Sequence, residues 1–377
     1  MSIDVEHPAS TTAAPEAPAA PERPQDAIDR RALAPDEGAA PPPFASPERL
    51  LALLAGWQPI QIVATALDLG LPTLIAGGAA DRDALVAASG ASPRGLEMLL
   101  NGLVALGFVV REGTGDGARY TLAPDAAAFL VEGPMYLGGY LRFAARELTD
   151  QWRGLTESVR TGRPALMLAD PTEAAAYWDE QVDLLFPWNY PLASHVAQLL
   201  SQLHPGASRL LDVAAGAGVW GIAAAQANPE LEAVAVDLPG VVDHARRNAD
   251  QLGVGDRFTY VEADLPGYDF GAGEFDAAAL GQVCHCVGAD ASRGLFADVA
   301  RALRPGGTIV IADMLPNEER SGTLFTLVQA LSMLVSTPDG NTFTFSEYEG
   351  WLREAGFEDV RPVEAFGQTI VFATRAG

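Results

Sequence analysis

The strongest chemical signal in the chain is the run Asp212-Val213-Ala214-Ala215-Gly216-Ala217-Gly218-Val219-Trp220-Gly221. It joins an apolar stretch, Arg209–Val213, to a helical one, Ile222–Ala227. Glycines at a strand-to-helix junction adopt dihedrals closed to other residues and let the backbone approach a ligand. The helix that follows offers free N–H groups to a carboxylate or phosphate. Asp237 closes the next apolar stretch, Leu231–Val236, where an acid can accept both hydroxyls of a ribose. A lone G-x-G-x-x-G is weak, and a tight turn with a helix cap explains it equally well. Strand, glycine turn, helix and strand-end acid together make a nucleoside-site signature. A second signal is Gln282-Val283-Cys284-His285-Cys286-Val287, which follows the strand Phe275–Leu280. Ligands in open α/β sheets lie at the carboxyl ends of strands, so His285 should face the same crevice. An imidazole with a pKa near ~6.5 can take a proton from a polarised hydroxyl near neutral pH. Asp313, at the end of the adjacent strand, can fix its tautomer. A structural strand-end histidine is the competing reading. Cys284-His285-Cys286 lacks the further ligands a zinc site needs, so no metal is expected.

These residues require elements to hold them. From about Ser208 the pattern alternates strand and helix: Leu231–Val236, Gly240–Leu252, Phe258–Glu262, Phe275–Leu280, Ala291–Leu303 and Thr308–Ala312. Arg304-Pro305-Gly306-Gly307 reads as a break between the last two. Such alternation builds a parallel sheet covered on both faces. After a helix over Phe345–Ala355, the segments Val360–Ala365 and Gln368–Thr374 read as a terminal strand pair, completing a seven-strand plan. Ahead of this domain, apolar residues from Leu50 to Leu67 recur at helical spacing, with a break at Pro59. Helices over Asp81–Ala88 and Ser92–Leu106 follow, then strands Phe108–Arg111 and Ala118–Leu122. Three helices and a hairpin spell a winged helix. Residues 126–203 read as all-helical and are rich in aromatics, including Phe186 and Trp188, which serve either as core or as the wall of a flat apolar pocket. The expected organisation is therefore a disordered Ala/Pro-rich tail at 1–44, a mainly helical winged-helix domain at 45–130, a helical linker and pocket region at 131–205, and a Rossmann-like α/β domain at 206–377.

Composition narrows the function. Among 377 residues, 49 acidic against 24 basic side chains give a net charge of −25. That surface repels phosphate backbones and anionic lipid, and the helix before the wing carries only Arg94 as a cation. The winged unit is therefore expected to serve packing or dimerisation, with no nucleic-acid partner. No apolar run reaches the ~20 residues of a membrane span, and no secretory leader is evident. Two cysteines exclude a disulfide framework and fit a reducing, cytoplasmic setting.

A nicotinamide dinucleotide and S-adenosylmethionine both fit the glycine turn. Asp212 inside the strand, Asp264 at the end of the third strand, and the terminal strand pair favour the second. On these motifs the chain resembles the class I S-adenosylmethionine-dependent methyltransferases, and more closely the small-molecule O-methyltransferases of caffeate, hydroxyindole and bacterial natural-product type. The resemblance runs from about Pro47 to Gly377 and includes Val236-Asp237-Leu238-Pro239 and the Gly356-Phe357 pair. It implies that Asp212, Gly216 and Gly218 form the cofactor loop. It puts Asp237 and Leu238 at the ribose, and Asp264 with Leu265 at the adenine. It makes His285 the base and the N-terminal unit an intertwined homodimer. The family carries an acid and a tryptophan after that histidine, where this chain has Cys286 and Val287, and a second acid where it has Thr342. Phe325, Gln329, Met333 and Asn341, together with Phe186 and Trp188, would cover a small-molecule substrate. The implied activity is methyl transfer to a hydroxyl of a small aromatic or apolar metabolite. Transfer to carbon, nitrogen or sulfur, or a cofactor-binding relative that does not methylate, are the alternatives.

Overall fold

A computed structural model of the chain describes Leu50, Leu53 and residues 56–165, 177–179, 181–265, 267–322 and 324–377. The tail at 1–44 lies outside the described residues.

Helices over Gln58–Asp68, Leu71–Ala76, Arg82–Ser89 and Pro93–Ala105 precede an antiparallel hairpin of β1 (Val109–Glu112) and β2 (Arg119–Leu122). Pro59, expected as a break, instead sits in the first turn of its helix, where a missing N–H costs nothing. Asp81 and Ser92 cap their helices by accepting from the N–H groups of Ala84 and Gly95 at 2.8 and 3.1 Å. Leu71, Leu85, Leu96 and Leu100 close a core of their own beneath the hairpin.

The larger sheet comprises β3 (Arg209–Val213), β4 (Glu232–Asp237), β5 (Phe258–Glu262), β6 (Phe275–Gly281), β7 (Leu303–Ala312), β8 (Phe357–Ala365) and β9 (Gln368–Arg375). Their spatial order is β5-β4-β3-β6-β7-β9-β8. The first five are parallel; β9 runs antiparallel to β7 and β8. Strand residues alternate between two buried layers because successive side chains point to opposite faces. Leu211, Val213, Val236, Leu280 and Ile311 meet the helices Ala289–Ala302 and Phe345–Glu354. Leu210, Ala233, Ala279, Val310 and Phe372 meet the helices Val182–Leu203 and Val219–Ala227. β7 begins earlier than the glycine-proline break suggests. Leu303 already pairs with Phe275, and a register shift absorbs the irregular residues before Thr308 pairs with Ala277.

The helix Phe345–Glu354 starts from a full capping box: Thr344 accepts from Glu347 N, and the Glu347 carboxylate accepts from Thr344 N. That cap fixes where Tyr348 enters the core. Thr344→Ala is expected to cost about 1 kcal/mol of stability, read as a lowered midpoint of thermal unfolding with the rest of the fold intact.

Candidate active site

The strand order reverses between β3 and β6: the connection after β3 leads to one side of the sheet and that after β6 to the other. A cavity of about 520 Å³ opens at the carboxyl ends of these strands. Ala214, Gly216 and Gly218 all take positive φ there, at 55°, 52° and 77°. A Cβ on Gly218 would stand 2.8 Å from the Ala245 methyl, so the tight crossing requires glycine. The loop is anchored by two acids. Asp237, which lines the cavity, accepts from Gly216 N at 2.6 Å and Leu238 N at 2.7 Å. Burial raises its pKa and those two N–H groups oppose the rise. Asp212 is fully buried and accepts from Gly221 N at 2.8 Å; its Oδ1 has no partner among the described residues. Burial pushes its carboxyl up to about 8, against the Gly221 bond. Leu238, Asp264 and Leu265 also line the cavity, toward β4 and β5. The size lies within the range of small-molecule sites. A backbone without side chains beside a carboxylate with spare lone pairs suits an adenosine-bearing cofactor.

His285 lies in the short helix Cys284–Val287 after β6. Its imidazole is buried, and its Nδ1 pairs with Asp313 Oδ1. Asp313 is itself enclosed: it accepts also from His285 N at 3.0 Å, from Met314 N at 2.8 Å and from the Tyr348 hydroxyl at 2.8 Å. Burial alone would depress the histidine's pKa, but the adjacent Asp313 carboxylate outweighs it and raises it well above 6.5. Burial likewise works to raise Asp313, and the pairing with His285 and the other donors lowers it instead. Asn341 N donates to His285 O at 2.9 Å, tying the histidine's backbone to the following loop.

The residues singled out in the sequence do not all meet. Asp237, Leu238, Asp264, Leu265, Gly216 and Phe186 line the cavity. His285 and Asp313 form their pair behind Cys286, which does line it. Trp188 is wedged between Tyr140 and Phe325, with ring centroids 5.6 and 5.8 Å away. Trp188, Phe325, Gln329 and Met333 therefore belong to packed helices beside the cavity and are not part of its lining. Asn341 is exposed and turns back to its own neighbour, accepting from Thr342 N. The buried Thr342 hydroxyl has no partner among the described residues. Sequence reasoning missed Tyr348, whose helix gives only an apolar-spacing signal, and Asn189, Gln282 and Trp220, which line the cavity. Trp220 lies inside the glycine motif, so its position was visible even though its role was not.

Residues 152–358 match the O-methyltransferase domain family and residues 48–132 match the O-methyltransferase dimerisation domain. The chain belongs to the O-methyltransferase family. S-adenosylmethionine is therefore its cofactor, as the resemblance implied. This O-methyltransferase is 32% identical over 332 residues to 3-hydroxy-5-methyl-1-naphthoate 3-O-methyltransferase of Streptomyces sahachiroi, covering 86% of this chain and 93% of that one. It is 29% identical over 330 residues to tetracenomycin polyketide synthesis 8-O-methyl transferase TcmO of Streptomyces glaucescens, covering 85% and 94%. Human N-acetylserotonin methyltransferase, solved in complex with SAM, shares the fold with a TM-score of 0.74 at 23% identity, over 90% of this chain and 100% of that one.

The raised carboxyl of Asp212 gives the O-methyltransferase a pH-dependent stability. A group with a raised folded pKa contributes fully below the ordinary carboxylate range and loses that contribution as pH climbs to about 8. Asp212→Asn keeps an acceptor for Gly221 N and cannot ionise. Its unfolding midpoint, relative to the parent chain, should rise steadily between about pH 4 and 8 and then level off; a constant difference across that range would refute the assignment.

Proposed function

We propose that this O-methyltransferase transfers a methyl group to a hydroxyl of a small aromatic or apolar metabolite, with His285 as general base. The pairing of His285 Nδ1 with Asp313 carries the reading. S-adenosylmethionine supplies an electrophilic sulfonium methyl group. Asp237 accepts the ribose hydroxyls, Leu238 covers the sugar, and Asp264 and Leu265 flank the adenine. Gly216 and Gly218 keep the backbone close to the cofactor, and Asp212 holds the loop in shape through Gly221 N. With Nδ1–H committed to Asp313, the lone pair of the neutral ring sits on Nε2, which takes the proton of the acceptor hydroxyl. Asp313 then stabilises the imidazolium. Alignment of the two reactants can supply ~7–11 kcal/mol of the barrier. Phe186, Trp188, Phe325, Gln329, Met333 and Asn341 are proposed to frame the acceptor's approach, Phe186 directly and the others through the helices and loop they hold.

The naphthoate and tetracenomycin relatives act on aromatic polyketide-type molecules by their names, which supports an aromatic acceptor. The matched dimerisation domain supports a homodimer, and exposed Trp57, Met98 and Val110 supply apolar surface for it. A cytoplasmic location is consistent with the unpaired Cys284 and Cys286; no helix among the described residues is long and apolar enough to cross a membrane.

A base must be neutral to act. The Asp313 carboxylate raises His285 well above 6.5, so methyl transfer should still be increasing with pH beyond neutrality. His285→Ala should lower turnover by roughly 10²–10⁴-fold and flatten that rise, with unchanged affinity for S-adenosylhomocysteine. The assay follows labelled methyl into products one CH2 heavier across a panel of phenols. Full activity in the variant would leave positioning alone to carry the reaction.

A further inference from the structure

Three polar side chains near the β6 end of the cavity have no part in the mechanism above. Trp220 is 5% exposed, and its indole N–H edge rests on Gly281, so closely that a Cβ there would fall 1.7 Å from Nε1. No described residue accepts a hydrogen bond from that N–H, and Nε1 is not sealed from the cavity that Trp220 lines. Gln282 holds φ at 61°, a conformation that a side-chain-bearing residue pays for, while its backbone N–H donates to Ala312 O at 2.8 Å. Its Nε2 donates to Asn189 Oδ1 at 3.3 Å, and Asn189 Nδ2 donates to Leu185 O at 3.3 Å. Those two bonds fix the amide orientations and leave Gln282 Oε1 as a free acceptor on the cavity wall. A buried donor and a strained acceptor thus stand together where the cavity is otherwise largely apolar.

The sheet order says which part of a ligand they meet. Along β5-β4-β3-β6, Asp264 and Leu265 mark one end, Asp237 comes next, and Gly281 and Gln282 mark the opposite end. A cofactor whose ribose is on Asp237 and whose adenine lies toward Asp264 sends its amino-acid end to Gly281 and Gln282. That end is a zwitterion, with one carboxylate to be met by donors and one ammonium to be met by acceptors.

Resting on the cofactor orientation proposed above, we propose that Trp220 and Gln282 form a clamp for the cofactor's amino-acid end: Trp220 Nε1–H donates to its α-carboxylate and Gln282 Oε1 accepts from its α-ammonium. Asn189 is the positioning residue that turns the Gln282 amide. The helix Val219–Ala227, which begins one residue before Trp220, adds its positive end beneath the carboxylate. The acid packed under this turn, Asp212, is held largely protonated at neutral pH by burial, so it does not repel that carboxylate. The absence of a side chain at 281 lets the indole lie flat enough to present its N–H.

Calorimetric titration with three probes tests the clamp without any acceptor. S-adenosylhomocysteine carries both charged groups, decarboxylated S-adenosylhomocysteine carries only the ammonium, and 5′-methylthioadenosine carries neither. The parent chain should bind S-adenosylhomocysteine at least tenfold tighter than methylthioadenosine. Trp220→Phe should weaken S-adenosylhomocysteine by about 10- to 100-fold, the scale of a hydrogen bond to a charged group, and leave the other two probes within about twofold of the parent value. Gln282→Gly, which suits the positive φ, should weaken both ammonium-bearing probes and spare methylthioadenosine. Equal losses for all three probes, or no loss, would overturn the clamp. Equal affinities of the parent chain for S-adenosylhomocysteine and methylthioadenosine would overturn it too, while leaving the ribose and adenine assignments standing. Failure of the parent chain to bind any probe would overturn those assignments and the clamp together.

Discussion

The gap between β3 and β6 is the constraint from which the rest follows. Two parallel strands lie side by side, yet the chain leaves them toward opposite edges of the sheet. Neither crossover helix fills the seam at their carboxyl ends, so a cavity opens there that other elements wall in. The glycine loop after β3 and Asp237 at the end of β4 line that seam, and the His285–Asp313 pair at the ends of β6 and β7 lies behind Cys286, which lines it. Three glycines beside the gap are small because a neighbouring side chain occupies the place of a Cβ. Gly218 clears Ala245, Gly221 clears the Asp212 carboxylate, and Gly281 clears Trp220.

Three carboxylates, all buried, differ in their surroundings, and the donors and charge around each set which form is favoured. Asp212 has one donor, Gly221 N, and one orphaned oxygen, so burial wins and the proton stays on. Asp237 has two backbone donors and a face on the cavity; burial still raises it against both of them. Asp313 has two backbone N–H groups, a tyrosine hydroxyl and an imidazole, and this company keeps it charged although it is as deeply buried as Asp212. The same fold thus provides a buried acid under the loop, a cavity-facing acceptor and a carboxylate paired with a histidine. The difference lies in the donors and, for Asp313, the charge of His285, and not in residue type.

The helical wall over the cavity depends on a separate set of contacts. His244 reaches Asp183 and Asp179 at 2.6 and 2.8 Å, and Asn248 reaches Asp183 and Ala217 O at 2.9 and 3.1 Å. These bonds join the helix Val242–Gln251 to the start of Val182–Leu203, which supplies Val182, Leu185, Phe186 and Asn189 to the lining. Packing of the aromatics behind this wall, with Trp188 between Tyr140 and Phe325, gives it a rigid backing.

Local rules were enough to read the strand-turn-helix at 209–227 and the strand-end acid, because each depends on residues close in sequence and on a period of two or 3.6; the cofactor and the family came from the resemblance of motifs spread along the chain. The strand Arg209–Val213 and the cap at Ser92 need nothing else. Pairings between distant segments were beyond that reach. That Tyr348 donates to Asp313, that Asp212 is neutral, and that Trp220 and Gln282 face one cavity depend on which helix covers which sheet face and on how many donors surround a buried oxygen. Helical spacing placed Trp188, Phe325, Gln329 and Met333 on suitable helices. Only the packing of those helices decided that they stand beside the cavity, since periodicity fixes a face and not what that face meets.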